Sequence, residues 1–448
     1  MLTLERRNLL AAVDDLSTLK AELSHLLPVD ISELIEGLPP ERRAIAFRLL
    51  DKSRATEVFE YLPTEVREEL IEALHDLQVC QLIESMRPDD RAELFDELPA
   101  GVVKRLLRQL SASERRATAT ILGYSEGTAG RVMTTEYVRL YQGMTVDRAL
   151  DKIRYTDRDK ETIYCAYVTD ANRKLLQVIS LRDLVFAAPD ALVEEIACNQ
   201  VISVFTETPQ EEVAHLMQRY DLIAVPVVDR EERLVGIVTI DDVVDILEEE
   251  ATEDIQKLAG VRGGDEAVLA PPLVTFCKRL PWLLGSIALY VGTSSAVASF
   301  QGTIASLPVL AAIMPLLSNT SGNVGIQALT VTVRGLGVGE VNLSNTLRIL
   351  RKEILAGIGM GAVLGACLGL LSLLWAPEHL RWVSLITGGV MATNVLIAVT
   401  LGTCIPIVLK RLSLDPALMS GPLLTTLLDT ISFVCLLGLT SLAISFSS

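Results

Sequence analysis

Gly421-Pro422-Leu423-Leu424-Thr425-Thr426-Leu427-Leu428-Asp429-Thr430 opens the last of five long apolar stretches and contains the one acid that lies inside any of them. A helix that crosses the hydrocarbon core needs roughly 20 mainly apolar residues. Residues 422–446 meet that requirement, as do 281–300, 304–336, 354–375 and 382–409. On a helix, Asp429 stands about seven rises, or roughly 10 Å, inside the start of its stretch. A carboxylate at that depth is costly unless it faces water or a cation, so intramembrane acids mark ion paths. The competing reading is a protonated structural acid bonded to a neighbouring helix. Thr425 and Thr426 lie one turn earlier and share the face of Asp429.

The charges around these stretches give their orientation. Lys278 and Arg279 precede the first; Arg334, Arg348, Arg351 and Lys352 lie between the second and third; Lys410 and Arg411 follow the fourth. The alternate connections hold a single base, Arg381. Basic residues gather on the cytoplasmic side of membrane proteins, which puts the long N-terminal region in the cytoplasm and the C-terminus outside. The N-terminal run Met1-Leu2-Thr3-Leu4-Glu5-Arg6-Arg7 is charged where an export signal needs an apolar core, which again leaves the soluble region in the cytoplasm. The expected location is thus a cytoplasmic (inner) membrane, crossed several times.

The 448 residues are 50% apolar with a mean hydropathy of +0.38 and a net charge of −17. That charge is unevenly spread. From Pro271 onward nine bases face five acids, a balance of +4, while residues 1–270 keep 52 acids and 31 bases, a balance of −21. An acidic soluble body joined to an apolar block excludes a disulfide-stapled secreted domain, and it excludes nucleic acid as a partner, since phosphate contacts need basic surface. The seven cysteines (Cys80, Cys165, Cys198, Cys277, Cys367, Cys404 and Cys435) are scattered without C-x-x-C spacing and read as reduced or buried thiols.

Inside the second stretch, Pro315 precedes Ser318-Asn319-Thr320-Ser321-Gly322-Asn323-Val324-Gly325-Ile326-Gln327. Proline and glycine here suggest a broken helix whose freed carbonyls line an aqueous cavity. Asn323 and Gln327, spaced i,i+4, can face one pore wall. Small residues also serve close helix packing, and that reading stays open. Asn394 in the fourth stretch is a weaker pore candidate.

The soluble region divides into two modules. Within residues 133–250, Tyr167-Val168-Thr169-Asp170 followed by 175–185 returns 59 residues later as Pro226-Val227-Val228-Asp229 followed by 234–244. Each copy reads strand, turn, strand, helix, and the two copies resemble tandem CBS (cystathionine β-synthase) domains. Ser180 with Asp183, and Thr239 with Asp242, form Ser/Thr-x-x-Asp pairs that suit an adenine nucleotide, hydroxyl to phosphate and acid to ribose. Plain N-capping of the closing helix explains each pair equally well. Residues 1–130 carry a shorter period: Leu38-Pro39, Asp51-Lys52, Leu62-Pro63, Arg87-Pro88, Leu98-Pro99 and Leu110-Ser111 recur near every 12 residues or its double. Such helix starts predict helices of about nine residues coiled into a small superhelical domain.

Between the modules and the first span runs the densest acidic segment: Asp241, Asp242, Asp245, Glu248, Glu249, Glu250, Glu253 and Asp254, followed by one lysine, Lys257. On a helix it holds four like-charge i,i+4 pairs, which oppose folding by about 1–2 kcal/mol together. Bound divalent cations would relieve them; a solvated face is the simpler alternative. No nucleophile–base pair and no P-loop is present, so the chain is not expected to be an enzyme.

This order of parts resembles the MgtE family of magnesium channels over essentially the whole chain. The resemblance rests on Ala251-Thr252-Glu253-Asp254-Ile255, on Gly322-Asn323 with Gly325 and Gln327, and on Asp415-Pro416-Ala417 with Asp429. Ser321 and Ile326 stand where the family commonly has Gly and Asn. The implied fold is a multidomain membrane protein: an all-α superhelical domain (1–130), an α/β CBS pair (131–190 and 191–245), an acidic connecting or plug helix (246–270) and a membrane domain of five helices (271–448). The resemblance also implies a homodimer in the lipid bilayer with a pore on its two-fold axis, and no obligatory protein partner is evident. Gly322, Asn323, Gly325, Gln327, Ala417, Thr425, Thr426 and Asp429 are the implied pore and ion-binding residues. Regulatory Mg2+ would be held by Asp242, Asp245, Glu250, Glu253 and Asp254, by Glu211 and Asp221, and by Glu57, Asp89 and Glu93. Mg2+ is then both substrate and regulator, with ATP a further candidate ligand of the CBS pair through Ser180, Asp183, Thr239 and Asp242. The expected function is a Mg2+-selective importer that runs down the electrochemical gradient and is closed by cytosolic Mg2+. A CBS-regulated transporter or exporter of Co2+ or another divalent cation, and a nucleotide-sensing membrane receptor, are the alternatives.

Overall fold

A computed structural model describes residues 19–447 except 21–22, 75, 156–159, 199, 269, 342–344, 375–380, 413 and 419–420. The charged run at residues 1–7 therefore lies outside the described residues. The chain forms two compact units, Met1–Leu247 and Glu248–Ser448.

Among the described residues, the first unit carries a series of short helices: α1 (Pro28–Glu36), α2 (Pro40–Arg48), α3 (Lys52–Glu60), α4 (Thr64–Ala73), α5 (Asp76–Ser85), α6 (Pro88–Glu97), α7 (Ala100–Gln109) and α8 (Ala112–Ile121). Each spans 9 or 10 residues, the length expected from the sequence period. Pro28, Pro40 and Pro88 sit at the first helical position, while Pro63 and Pro99 stand one place earlier, at the N-cap. Alternate helices pack together, α1 on α3, α3 on α5 and α6 on α8, so the chain coils around a continuous core that includes Ile35, Phe59, Leu70, Ile83 and Leu94.

One polar side chain lies at the centre of that coil. Arg91 of α6 is fully buried, and its guanidinium donates to the carbonyls of Ile83 (2.8 Å) and Met86 (2.5 Å), to Thr118 Oγ1 (2.9 Å) and to Glu114 Oε2 (3.0 Å). It satisfies carbonyls at the end of α5, which have no partner in their own helix, and ties α5 and α6 to α8.

A short helix, α9 (Ala129–Val132), leads into the repeated module. The first copy holds β1 (Tyr137–Tyr141), α10 (Val146–Tyr155), β2 (Thr162–Thr169), β3 (Leu175–Ser180), α11 (Leu181–Phe186) and α12 (Val193–Ile196). The second holds β4 (Val204–Phe205), α13 (Gln210–Tyr220), β5 (Ala224–Val228), β6 (Leu234–Thr239) and the long helix α14 (Ile240–Leu258). In each copy the leading strand pairs parallel to the middle one, which pairs antiparallel to the third. The leading strands were not read from the sequence; β4 has only two residues.

The 59-residue repeat holds down to single hydrogen bonds. Asp170 Oδ1 accepts from the amides of Asn172 and Lys174, each at 2.8 Å, and Asp229 Oδ1 accepts from those of Glu231 (3.1 Å) and Arg233 (2.8 Å). The two turns also bond to each other, Leu175 N to Glu232 O at 3.1 Å and Leu234 N to Arg173 O at 2.9 Å. The copies therefore meet as a pseudo-symmetric pair.

The second unit contains five helices long and apolar enough to cross a membrane: α15 (Pro272–Ala298), α17 (Val309–Gly337), α18 (Thr346–Leu373), α19 (Trp382–Arg411) and α20 (Gly421–Ser447). A short helix, α16 (Gln301–Ser306), precedes the second of them. One expectation fails here. The second span is a single 29-residue helix that runs unbroken through Pro315 and the glycines. Backbone groups freed in lipid must find other partners, so a continuous helix costs less than an opened one. Its glycines serve close packing instead. A Cβ on Gly325 would stand 2.6 Å from Leu428 Cδ1, and one on Gly402 of α19 would stand 2.5 Å from the Gly325 carbonyl. The third span repeats the device: Gly361 and Gly365 pack on backbone carbonyls of the fourth, those of Ala392 and Gly388.

Arg91→Met keeps most of the side-chain volume but removes every donor, and should destabilise the N-terminal helices by about 2–3 kcal/mol. Urea unfolding followed by a fluorophore in that region tests this; an unchanged midpoint would remove Arg91 from the account of the coil.

Candidate ion path and cation-responsive clusters

In the second unit, Asp429 of α20 is half-buried and accepts a hydrogen bond from Ser318 Oγ of α17. The contact between these two spans continues on either side: Ser321 Oγ lies 3.3 Å from Ser432 Oγ, and a Cβ on Gly322 would lie 3.2 Å from Thr425 Cγ2. Thr425 and Thr426 donate to the Pro422 carbonyl at 3.0 and 2.7 Å, so their hydroxyls are bonded back onto their own helix, and Thr426 is buried. Asn323 and Gln327 are exposed on one face of α17, as their spacing requires, while Gly322 and Gly325 are buried on its other face. The fold thus divides the motif. Its amides face outward from the single chain and its glycines pack inward. Asn394, 1% exposed, has no hydrogen-bond partner for either side-chain amide atom.

At the start of α20, Asp415 Oδ1 accepts from the Ala417 amide at 2.8 Å, which opens the turn Pro416–Leu418 and holds Ala417 fully buried. The end of the acidic helix α14 runs past this point. Lys257 Nζ donates to Asp415 Oδ2 at 2.7 Å and also pairs with Glu253. Leu258 O would lie 3.6 Å from a Cβ on Gly421, and Asp254 Oδ2 lies 3.5 Å from the Cβ position of Gly337 at the end of α17. The last turns of α14 therefore border the ends of the two helices that share the Ser318–Asp429 bond.

In the first unit, acids from the N-terminal coil and the CBS pair are brought together. Burial pushes Glu60 up to about 7, with the charge of Asp90 adding to it. Glu161 also stands at about 7, raised by burial against the opposing pull of Arg87. Asp242 stands at about 6, raised by burial although Thr239 bonds to it. Asp89 is held well above the ordinary carboxylate range by burial and by Asp90, Asp242 and Glu161. The Arg87 guanidinium pairs with Glu161 at 2.7 Å, and the charges of Arg87, Arg67 and Arg91 also act on Asp90. Two carboxylate oxygens, Asp89 Oδ1 and Glu161 Oε2, stay buried without a hydrogen-bond partner. That is a deficit that a hydrated divalent cation fits.

The expected regulatory residues are thus only partly assembled. Asp89 and Asp242 share the group, and Glu57 reaches it through its charge on Glu60. Asp221 caps α13 in the left-handed conformation, and Glu211, in the first turn of that helix, lies 3.7 Å from His215. Glu93 and Asp245 are exposed, and Glu250 is half-buried. Among the described residues no three Asp, Glu, His or Cys side chains converge closely enough to hold a metal ion. Glu60, Asp90, Glu161 and Arg87 were missed from the sequence. Glu60 and Glu161 lie far in the chain from Arg87 and Asp90, and their meeting depends on how the coil packs on the CBS pair.

The Ser/Thr-x-x-Asp pairs close on themselves. Ser180 Oγ donates to Asp183 Oδ2 (2.6 Å) and accepts from the Asp183 amide (3.1 Å), which caps α11. Thr239 Oγ1 donates to Asp242 Oδ2 at 2.6 Å. The capping role is filled at Ser180, while at the second site Asp242 Oδ2 also accepts from the Thr239 amide at 3.3 Å.

Comparison with known proteins follows the same division. Residues 26–127 match the MgtE intracellular N domain, residues 129–190 and 193–249 match CBS domains, and residues 314–439 match the MgtE divalent cation transporter family. The magnesium transporter MgtE of Thermus thermophilus is 37% identical over 96% of this chain and 95% of its own length. That of Bacillus subtilis is 32% identical over 94% and 92%. The crystal structure of the cytosolic domain of the Mg2+ channel MgtE in complex with ATP, at 38% identity, superposes with a TM-score of 0.51 over 52% of this chain and 95% of that one. The soluble part of a magnesium transporter, at 28% identity, does so with a TM-score of 0.53 over 56% and 100%. With the fold and the near full-length relatives in agreement, the chain belongs to the MgtE family of divalent cation transporters.

Proposed function

We propose that the chain is a magnesium channel of the cytoplasmic membrane that works as a homodimer, imports Mg2+ down its electrochemical gradient and is closed by cytosolic Mg2+. The observation that carries this is Asp429, an acid inside the last span, half-buried and bonded to Ser318 of the second span. A carboxylate there is costly unless a cation passes. Two copies facing one axis supply two carboxylates, which suit an ion that dehydrates reluctantly and is held through its water shell. Asn323 and Gln327, exposed on the second span, then line the same path. The relatives named magnesium transporters support the choice of ion. The N-terminal region lies in the cytoplasm and the C-terminus outside, in keeping with the basic loops.

Closure follows from the acids. Asp89, Asp242 and their neighbours repel when the coil packs on the CBS pair, and a bound divalent cation removes a repulsion present only in that packed state. Asp245, Glu250, Glu253 and Asp254 on α14, with Glu57, Glu93, Glu211 and Asp221 around them, extend the same response along a helix that ends beside the two pore-forming spans. ATP binds the CBS pair in this reading, as supported by the related ATP complex. Binding requires the Ser180–Asp183 and Thr239–Asp242 bonds to open, so Ser180, Asp183, Thr239 and Asp242 exchange an internal partner for the nucleotide.

In vesicles holding the reconstituted protein, Asp429→Ala should reduce Mg2+ flux at least tenfold; equal flux in the two proteins would sink the pore assignment. Mg2+ should protect residues 246–270 from protease, and neutralising Glu250, Glu253 and Asp254 together should abolish the protection. A cleavage rate indifferent to both would count against the switch. Proton linkage gives a further test. Glu60, Glu161 and Asp242 bind protons more tightly when the coil is packed, so in Mg2+-free buffer the packed state is favoured at low pH and weakens as pH rises through about 5 to 7. The distance between fluorophores on the coil and on the CBS pair should increase over that range, and saturating Mg2+ should flatten the profile. A flat profile without Mg2+ would refute the assignment of the group.

A further inference from the structure

We propose that Lys257 is a positioning residue that fastens the end of the acidic helix to the loop opening the last span, and so sets the Mg2+ concentration at which the pore closes. This rests on the reading that α14 gates the pore. Three sets of contacts converge on the last turn of α14. The first is a relay: Lys257 Nζ donates to Asp415 Oδ2 at 2.7 Å, while the other oxygen of the same carboxylate accepts from the Ala417 amide at 2.8 Å. One carboxylate thus spans the helix and the buried turn, so a shift of Lys257 is felt at Ala417 through two bonds.

The second set fixes the same turn to the first span. Gln256 Nε2 donates to the Glu266 carbonyl (3.0 Å) and Gln256 Oε1 accepts from the Glu266 amide (2.8 Å). The Glu266 carboxylate accepts from Arg279 of α15 through Nε (2.9 Å) and Nη2 (2.6 Å). The third is the helix stop. Gly260 adopts φ +85 and its amide donates to the Lys257 carbonyl at 2.9 Å. A Cβ there would stand 2.4 Å from the Trp282 ring, so the chain must turn away at this point. With one side of the turn clasped to the first span, the Lys257–Asp415 bond ties it to the loop that opens the last, beside the contact of Leu258 with Gly421.

The charge of Lys257 suits the task. It is the one base in the acidic run, and its partners at this point are Glu253, one turn back on its own helix, and Asp415. Burial pushes its ammonium down, but the hydrogen bonds to Asp415 and Glu253 outweigh this and hold it above the ordinary lysine range. The amine is therefore a tethered cation that draws two carboxylates together in this arrangement without needing Mg2+. Divalent cations complete the closure by neutralising the acids that Lys257 leaves exposed to one another.

The test measures Mg2+ flux in vesicles as a function of cytosolic-side Mg2+, for the wild type, Lys257→Gln, Asp415→Asn, the double variant and Lys257→Arg. In Lys257→Gln we expect the half-closing Mg2+ concentration to rise about fivefold, with flux at low Mg2+ within twofold of wild type. Asp415→Asn should produce a similar shift, and the double variant no more than either single one, because the two side chains form one bond. Lys257→Arg, which keeps the charge, should close near the wild-type concentration and controls for folding. A wild-type closing concentration in Lys257→Gln, or shifts that multiply in the double variant, would overturn the proposal while leaving gating intact. Wild-type flux indifferent to cytosolic Mg2+ would overturn the gating reading and this proposal with it.

Discussion

A carboxylate removed from bulk water and set beside other carboxylates must gain a cation, a proton or a hydrogen-bond donor. This chain imposes that condition at three places and meets it differently at each. Between the helical coil and the CBS pair, Glu60, Asp89, Asp90, Glu161 and Asp242 crowd together, Arg87 pairs with Glu161, and Asp89 Oδ1 and Glu161 Oε2 keep no hydrogen-bond partner. At the end of the acidic helix, the ammonium of Lys257 joins Glu253 to Asp415. Inside the last span, Asp429 accepts from the hydroxyl of Ser318. The deficit is greatest where a cation would regulate or pass, and least where the chain supplies its own.

The remaining structure keeps these groups in register. In the coil, Arg91 occupies the centre of the packed helices and satisfies carbonyls that would otherwise be buried unpaired, so the face carrying Asp89 and Asp90 is held by the residue immediately after them. In the second unit, Gly325 and Gly402 let α17, α19 and α20 approach until a methyl group no longer fits. That closeness places the Ser318 hydroxyl on the Asp429 carboxylate. Association of helices within a bilayer depends on such backbone contact, because lipid offers no hydrophobic drive between them.

The acidic helix α14 begins as the closing helix of the second CBS copy, where Thr239 and Asp242 bond at its start, and ends against the loop that leads into the last span. A single helix of 19 residues thus joins one compact unit to the other. Within the second unit, the last turn of this helix is bonded to the Ala417 turn through Lys257 and Asp415. The like-charge repulsion along the helix is small per pair, and cations bound by these acids would relieve the pairs together.

The residue pattern alone determined the five spans, their orientation, the coil of nine-residue helices, the doubled CBS module and the exceptional position of Asp429. Each of these depends on local periodicity, on local charge or on a repeat that needs no knowledge of distant contacts. Sequence reading misjudged the glycines of the second span. Pro315, Gly322 and Gly325 carry the signature of a broken helix and of a close-packed one alike, and only the proximity of Leu428 and Gly402 decides between them. Arg87, Glu161 and the Lys257–Asp415 bond were beyond it for the same reason. Residues 74 or 158 positions apart in the chain become electrostatic partners only when folding brings them within hydrogen-bond distance, and the strength of that pairing depends on a burial that no local pattern records.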